Sequence, residues 1–147
     1  MRALAGLVLL LAPLPAGCRQ NPVEVERPSA VTASGVQYEE LFVGTGLAAE
    51  KGDEVTFEYT VWLADGTRVD STYDRGVALT VVLGRAALPA FDEGLLGIQP
   101  QGRRTLTVPP ELAYGEKGVE GMIPPNATLR IEVLALEVRR PGAPPGS

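Results

Sequence analysis

The chain has 147 residues, 45% of them apolar and 21% charged, a formal charge of -5, no histidine and one cysteine. That is enough for one domain with a real core plus extensions, and too apolar for a wholly disordered chain. The absence of histidine and the lone cysteine exclude a Ser-His-Asp or Cys-His nucleophile, a His/Cys zinc site and an internal disulfide. The acidic balance argues against a nucleic-acid partner, because no basic face offsets phosphate repulsion.

Residues 1–17, MRALAGLVLLLAPLPAG, join one Arg to an apolar run and then to small residues. The run Ala3 to Leu11 is far short of the ~20 residues a membrane-spanning helix needs, so a secretory signal peptide is expected. The only cysteine, Cys18, follows Ala16-Gly17, which resembles the lipobox of bacterial lipoproteins, where the cysteine becomes the lipidated first residue. Leu14 lies four residues before it and Pro15 three, whereas that class has Leu at minus three. The alternative is ordinary leader cleavage that leaves a free thiol. Arg19, in place of Asp, resembles the outer-membrane sorting pattern. The implied location is the cell envelope: the periplasmic face of a membrane, the outer one favoured, or otherwise periplasmic or secreted. Residues 18–34 are polar and proline-bearing with no apolar period, and read as a lipid-anchored tether of about 17 residues at ~3.1 Å each. The tail from Pro141, PGAPPGS, is expected to be disordered by the same composition, which leaves 35–140 as the folded domain.

Within that domain the dominant period is two. In DEVTFEYTVWL, 53–63, Val55, Phe57, Tyr59, Val61 and Leu63 share one face and Glu54, Thr56, Glu58 and Thr60 the other. That pattern predicts a half-buried antiparallel strand, and Asp65-Gly66 a tight hairpin turn after it. Further strands are expected at Val36–Val43, Arg68–Ser71, Val77–Leu83, Arg103–Val108 and Thr128–Val138. The last carries apolar residues on both faces, as a central strand does. Only PAFDEGLLGI, 89–98, reads as helix, with Pro89 in its first turn, Asp92 and Glu93 near its positive end and Gly97 at its stop. Phe91, Leu95 and Leu96 would then point inward. One short helix on an antiparallel sheet is an α+β arrangement. Between Ala113 and Leu129 runs AYGEKGVEGMIPPNATL, a loop by composition that nonetheless carries Tyr114 and Met122-Ile123.

Three stretches, YTVWLADGTRVDST, LGRAALPAFDEGLLGIQPQGRRTLTVPPELAYG and GMIPPNATLRIEVLALE, resemble the FKBP-type peptidyl-prolyl isomerases of bacteria in one order over nearly all of 35–138. The resemblance implies a curled antiparallel sheet wrapped around one short helix, with an apolar pocket between them that accepts a proline of a target chain. It implies walls from Tyr59, Val69, Leu79, Leu88 and Ile131, and a floor from Phe91. Tyr114 and the backbone N–H of Ile123 would hydrogen-bond ligand carbonyls, with Asp70 beside them on the rim. The implied partners are proline-containing polypeptides and macrolide inhibitors; no cofactor or metal is implied. The family has Trp at the floor and Phe before the rim Asp, where this chain has Phe91 and Val69. The stretch from Gly84 to Phe91 is also shorter, Met122 replaces a branched residue, and Val119 stands where a larger side chain is common. A wider, less aromatic pocket follows.

The chemistry needs no nucleophile, metal or general acid. Rotation about a peptide bond costs ~18–20 kcal/mol because conjugation is lost midway. An apolar pocket disfavours the less polar twisted amide less than water does, and binding of flanking residues can hold the bond part-way twisted. The same residues have plainer readings. Phe57, Tyr59 and Phe91 suit ordinary core, Asp70 suits a turn cap, and the GTG at 44–46 lacks the third glycine of a dinucleotide loop. Trp62 falls on the outer face of its strand, away from the pocket. Three function classes stay open: a membrane-tethered isomerase for exported proteins, a proline-binding or chaperone module of the same fold, and an envelope lipoprotein that only docks to a partner.

Overall fold

The computed structural model describes residues 27–142. The leader, Cys18, the first part of the tether and the tail beyond Gly142 lie outside these residues. Seven strands form one antiparallel sheet: β1 (Ser29–Val31), β2 (Gln37–Phe42), β3 (Glu54–Leu63), β4 (Arg68–Ser71), β5 (Leu79–Val82), β6 (Arg103–Val108) and β7 (Leu129–Arg139). Their order is β1-β2-β6-β7-β3-β4, and β5 also pairs with β3. Two short helices, α1 (Thr72–Arg75) and α2 (Pro89–Gly94), and a 3-10 turn at Pro110–Leu112 complete the regular structure.

The alternation of β3 follows the sequence pattern over its first half and breaks at Thr60, expected on the outer face but buried, its hydroxyl sharing a 3.0 Å hydrogen bond with that of Ser71 on β4. Val55, Phe57 and Val61 are buried and Glu54, Thr56 and Glu58 are only half-buried. β7 runs along one edge of β3 from Glu54 to Leu63. The other edge is divided: Glu54–Phe57 pairs with β5 and Thr60–Trp62 with β4. Between the two ladders the Thr72 hydroxyl closes the gap. It accepts the Tyr59 amide at 2.9 Å and donates back to the Tyr59 carbonyl at 3.2 Å. Tyr59 is thereby held where the sheet divides. The Asp65-Gly66 turn forms, with Gly66 at φ +89° and the Thr67 carbonyl accepting the Leu63 amide at 2.8 Å.

β7 is central by pairing, yet it buries one face only. Leu129, Ile131, Val133 and Ala135 are buried, whereas Arg130 and Leu136 are exposed. Leu136 is the extra residue of a bulge, since Thr56 pairs with Glu137 and Phe57 with Ala135. The bulge shifts the inward set by one residue, so Val138 faces the core again. The expectation of two buried faces fails: on the outer face Glu132 and Leu134 are only half-buried, and Arg130 and Leu136 are exposed.

Two boundaries move. β1 lies inside the segment read as a tether and pairs with β2 from Ser29↔Glu39 to Val31↔Gln37. All its residues are exposed, so no apolar alternation marked it. The helix stops at Gly94 rather than running to 98. Gly97 takes φ +77° and its amide turns to the Ala49 carbonyl at 2.7 Å. Leu95 and Ile98 still reach the core, but Leu96 is turned outward and exposed. α1 and the 3-10 turn were not anticipated, being a single turn each.

α2 seats on the inner face of the sheet at close range. A Cβ on Gly94 would come within 2.7 Å of Leu106 on β6. Arg104, buried on that inner face, donates to the carbonyls of Gly94 at 2.7 Å and Leu96 at 2.8 Å. It also pairs with Glu40 of β2 and covers the Tyr38 ring at 4.3 Å. One buried cation therefore satisfies the open carbonyls of the helix end and ties them to the sheet.

Candidate active site

A cavity of about 470 Å³ opens between α2, the inner face of β3 and β7, and strands β4 and β5. It lies within the size range of small-molecule and cofactor sites. Tyr59, Val69, Asp70, Leu79, Leu88, Phe91, Tyr114, Ile123 and Ile131 all line it. Trp62 does not; it stacks under Arg130 on the outer face, 5.3 Å from the guanidinium carbon. Val61, Leu129 and Arg85 also line the cavity and escaped the sequence reading. For Val61 and Leu129 the signal was present, since each lies two positions from Tyr59 or Ile131 along its own strand.

The floor is aromatic. Phe91 packs edge-on to Phe57 at 5.0 Å and lies 5.7 Å from Tyr59, centroid to centroid. Pro89 starts the helix, and Leu88 before it is extended at φ -104°, ψ 113°, so Leu88 joins the wall as Phe91 turns under the cavity.

One side of the rim is a hydrogen-bonded triad. The Tyr59 hydroxyl donates to Asp70 Oδ2 at 2.8 Å and accepts from Arg75 Nη2 at 2.8 Å. Arg75 also forms an ion pair with Asp70. Asp70 Oδ1 in turn accepts the Ser71 amide at 2.8 Å, so the aspartate orders its turn as well as facing the cavity. Burial, followed by the bond to Asp70, pushes the Tyr59 phenol above its ordinary range, with Arg75 opposing. Tyr59 is therefore a neutral wall whose proton is already committed.

The opposite side is the long loop. Tyr114 is 45% exposed at the mouth, and its hydroxyl makes no hydrogen bond among the described residues. Val119 and Ile123 bridge the loop: each amide donates to the other's carbonyl at 2.8 Å. This revises one expectation. The Ile123 N–H is occupied inside the loop, so Ile123 contributes its buried side chain rather than a donor. The Leu88 amide, on the facing wall, has no hydrogen-bond partner among the described residues.

Residues 46–136 match the family model of the FKBP-type peptidyl-prolyl cis-trans isomerases. The chain belongs to this family. It is 46% identical over 105 residues to the FK506-binding protein of Neisseria meningitidis serogroup B, covering 71% of this chain and 96% of that one. It is 39% identical over 114 residues to the FKBP-type peptidyl-prolyl cis-trans isomerase FkpA of Escherichia coli, covering 78% of this chain and 42% of that one. The crystal structure of FkpA from Escherichia coli superposes with a TM-score of 0.69 at 38% identity, covering 79% of this chain and 54% of that one. The crystal structure of AtFKBP13 superposes with a TM-score of 0.67 at 31% identity, covering 75% and 98%. The α+β fold, an antiparallel sheet with a short helix on it, is that of the FKBP-type enzymes, and the chain is a peptidyl-prolyl cis-trans isomerase. Such enzymes take proline-containing substrates and, as a family, macrolides.

Proposed function

We propose that the cavity over Phe91 receives the proline ring of exported clients, and that the enzyme speeds their folding at the cell envelope while anchored by a lipid on Cys18. The reading is supported above all by the convergence of the side chains named from the resemblance on one apolar cavity. Val69, Leu79, Leu88, Phe91 and Ile131 desolvate the bond before proline, and the twisted, less polar amide loses least from that desolvation. The Tyr114 hydroxyl and the Leu88 amide are two donors at the cavity without partners among the described residues, and they would hold carbonyls on the two sides of that bond. Asp70, braced by Arg75 and Tyr59, shapes the rim. No proton passes through a side chain.

The envelope assignment rests on the apolar leader of residues 1–17 and on the position of Cys18 after Ala16-Gly17. No helix among the described residues is long and apolar enough to cross a membrane.

A proline-peptide isomerisation assay tests the site. The full chain should accelerate a reaction that takes tens to hundreds of seconds unaided, and Val69→Asp should remove most of that activity while the fold persists. Full turnover by a folded Val69→Asp would place the reaction elsewhere. Membrane fractionation tests the anchor: Cys18→Ser should move the protein to the soluble fraction, and unchanged membrane association would defeat lipidation.

A further inference from the structure

We infer that Arg85 makes this isomerase favour segments with a glutamate or aspartate beside the proline, by placing at the cavity mouth a cation that has no ion-pair partner among the described residues. The inference rests on the reading of that cavity as the proline site. Among the described side chains that line it, only Asp70 and Arg85 carry a charge. The two differ in what surrounds them. Asp70 is already matched by Arg75 and by the Tyr59 hydroxyl. Arg85 is exposed, and its guanidinium makes no ion pair among the described residues.

The backbone under Arg85 is fixed. Asp92 Oδ1 accepts the amides of Gly84 at 2.7 Å and Ala86 at 2.9 Å, and the Arg85 amide donates to the Val82 carbonyl at 3.0 Å. The Asp92 carboxylate is thus engaged in holding the loop from both sides of Arg85. Lys51 does not line the cavity, but its stem lies against Gly84 next to Arg85, where a Cβ would approach its Cε to 3.1 Å, and so adds a second cation near this wall. Glu116, Lys117 and Glu120 of the long loop do not line the cavity. A client carboxylate arriving beside the bound proline therefore meets Arg85 with Lys51 behind it, although the whole chain carries a charge of -5. The preference is local, so it belongs to the bound complex and not to long-range capture.

The test compares kcat/KM of the full chain for peptides that differ only in charge next to proline. One set carries Glu, Gln or Lys before the proline, and a second carries the same residues after it. Glu and Gln have nearly the same shape, so their ratio isolates the charge. In at least one set the Glu peptide should exceed the Gln peptide by about two- to fivefold, the range of an exposed ion pair. The excess should shrink as salt rises past about 0.15 M, where the screening length is about 8 Å. Arg85→Ala should bring the ratio to about one, Arg85→Lys should preserve it, and Arg85→Glu should turn the preference towards Lys. Absence of turnover for the Gln peptides would defeat the proline-site reading itself. Turnover with a Glu-to-Gln ratio of one in both sets, or a ratio that Arg85→Ala leaves intact, would overturn the role of Arg85 alone.

Discussion

Phe91 on the floor of the cavity is 6% exposed and packed against Phe57 and Tyr59, whereas Tyr114 in the lid is 45% exposed with an unengaged hydroxyl among the described residues. The floor belongs to the core. α2 is pressed onto Leu106 through Gly94 and tied by Arg104, so the position of Phe91 is set by the same contacts that hold the sheet. The lid is held by its own backbone: the Val119–Ile123 bridge, the Gly118 amide on the Tyr114 carbonyl at 3.0 Å and the Asn126 amide on the Gly115 carbonyl at 2.9 Å. Substitutions in the floor should therefore move stability and affinity together. Substitutions in the lid should separate them.

The largest effect is expected at Phe91. Phe91→Ala removes a ring from between two others and should cost about 3–5 kcal/mol of unfolding free energy. Urea denaturation measures the loss, and peptide turnover should fall with it. Normal stability with lost turnover would show the floor to be independent of the core.

Gly118→Ala comes next and strains the lid alone. Gly118 sits at φ +58°, and a Cβ there would lie 2.3 Å from the Ile123 carbonyl oxygen and 2.7 Å from that of Pro124. Local strain of about 1–3 kcal/mol should displace the loop and weaken peptide binding by more than it lowers stability. Unchanged peptide affinity in a stable variant would mean that the lid does not meet the ligand.

Tyr114→Phe is milder. Loss of one neutral hydrogen bond should cost about 0.5–1.5 kcal/mol of peptide binding. Stability should hold, because the hydroxyl has no partner to lose among the described residues. A large fall in Tm with unchanged affinity would make Tyr114 a packing residue and erase the contrast between floor and lid.

The smallest expected effect is none at all. The chain has no histidine, and Tyr59, its phenol raised by burial, stays protonated well past neutrality. A raised phenol pKa moves ionisation to higher pH, so Tyr59 adds no titration between about pH 6 and 8. With an uncharged peptide kcat/KM should be flat across that window. A bell-shaped profile would require an acid and a base titrating there, and would sink the desolvation mechanism.

Much of this was readable in the residues. The period-two pattern of 53–63 marked β3 because one of its faces is apolar and more deeply buried than the other, although Thr60 on the polar face is buried too, and the Asp65-Gly66 turn followed from local preference. The wall residues came from resemblance, and they meet because Tyr59, Ile131 and Val69 stand on neighbouring strands with Phe91 beneath. The misses share a cause. β1 has no buried face, Leu96 is apolar yet turned out where the chain leaves α2, and the bulge at Leu136 reverses a face without any marker in composition.

By itself, then, the sequence determined the strands whose two faces differ, the site of the helix start at Pro89, and the exclusion of histidine-based catalysis, a His/Cys zinc site and an internal disulfide. Each of these depends on nearest neighbours or on composition alone. Only the tertiary structure decided which hydrogen-bond donors are free. The Ile123 amide is consumed by Val119, four positions away across a bridge, while the Leu88 amide has no partner among the described residues. It also decided that Arg104 would turn inward to close the end of α2, and that Asp70 would find an ion-pair partner among the described residues and Arg85 none. Each of these bonds exists only where the folded chain brings two groups within about 3–4 Å in the right orientation, and neither composition nor periodicity encodes that arrival.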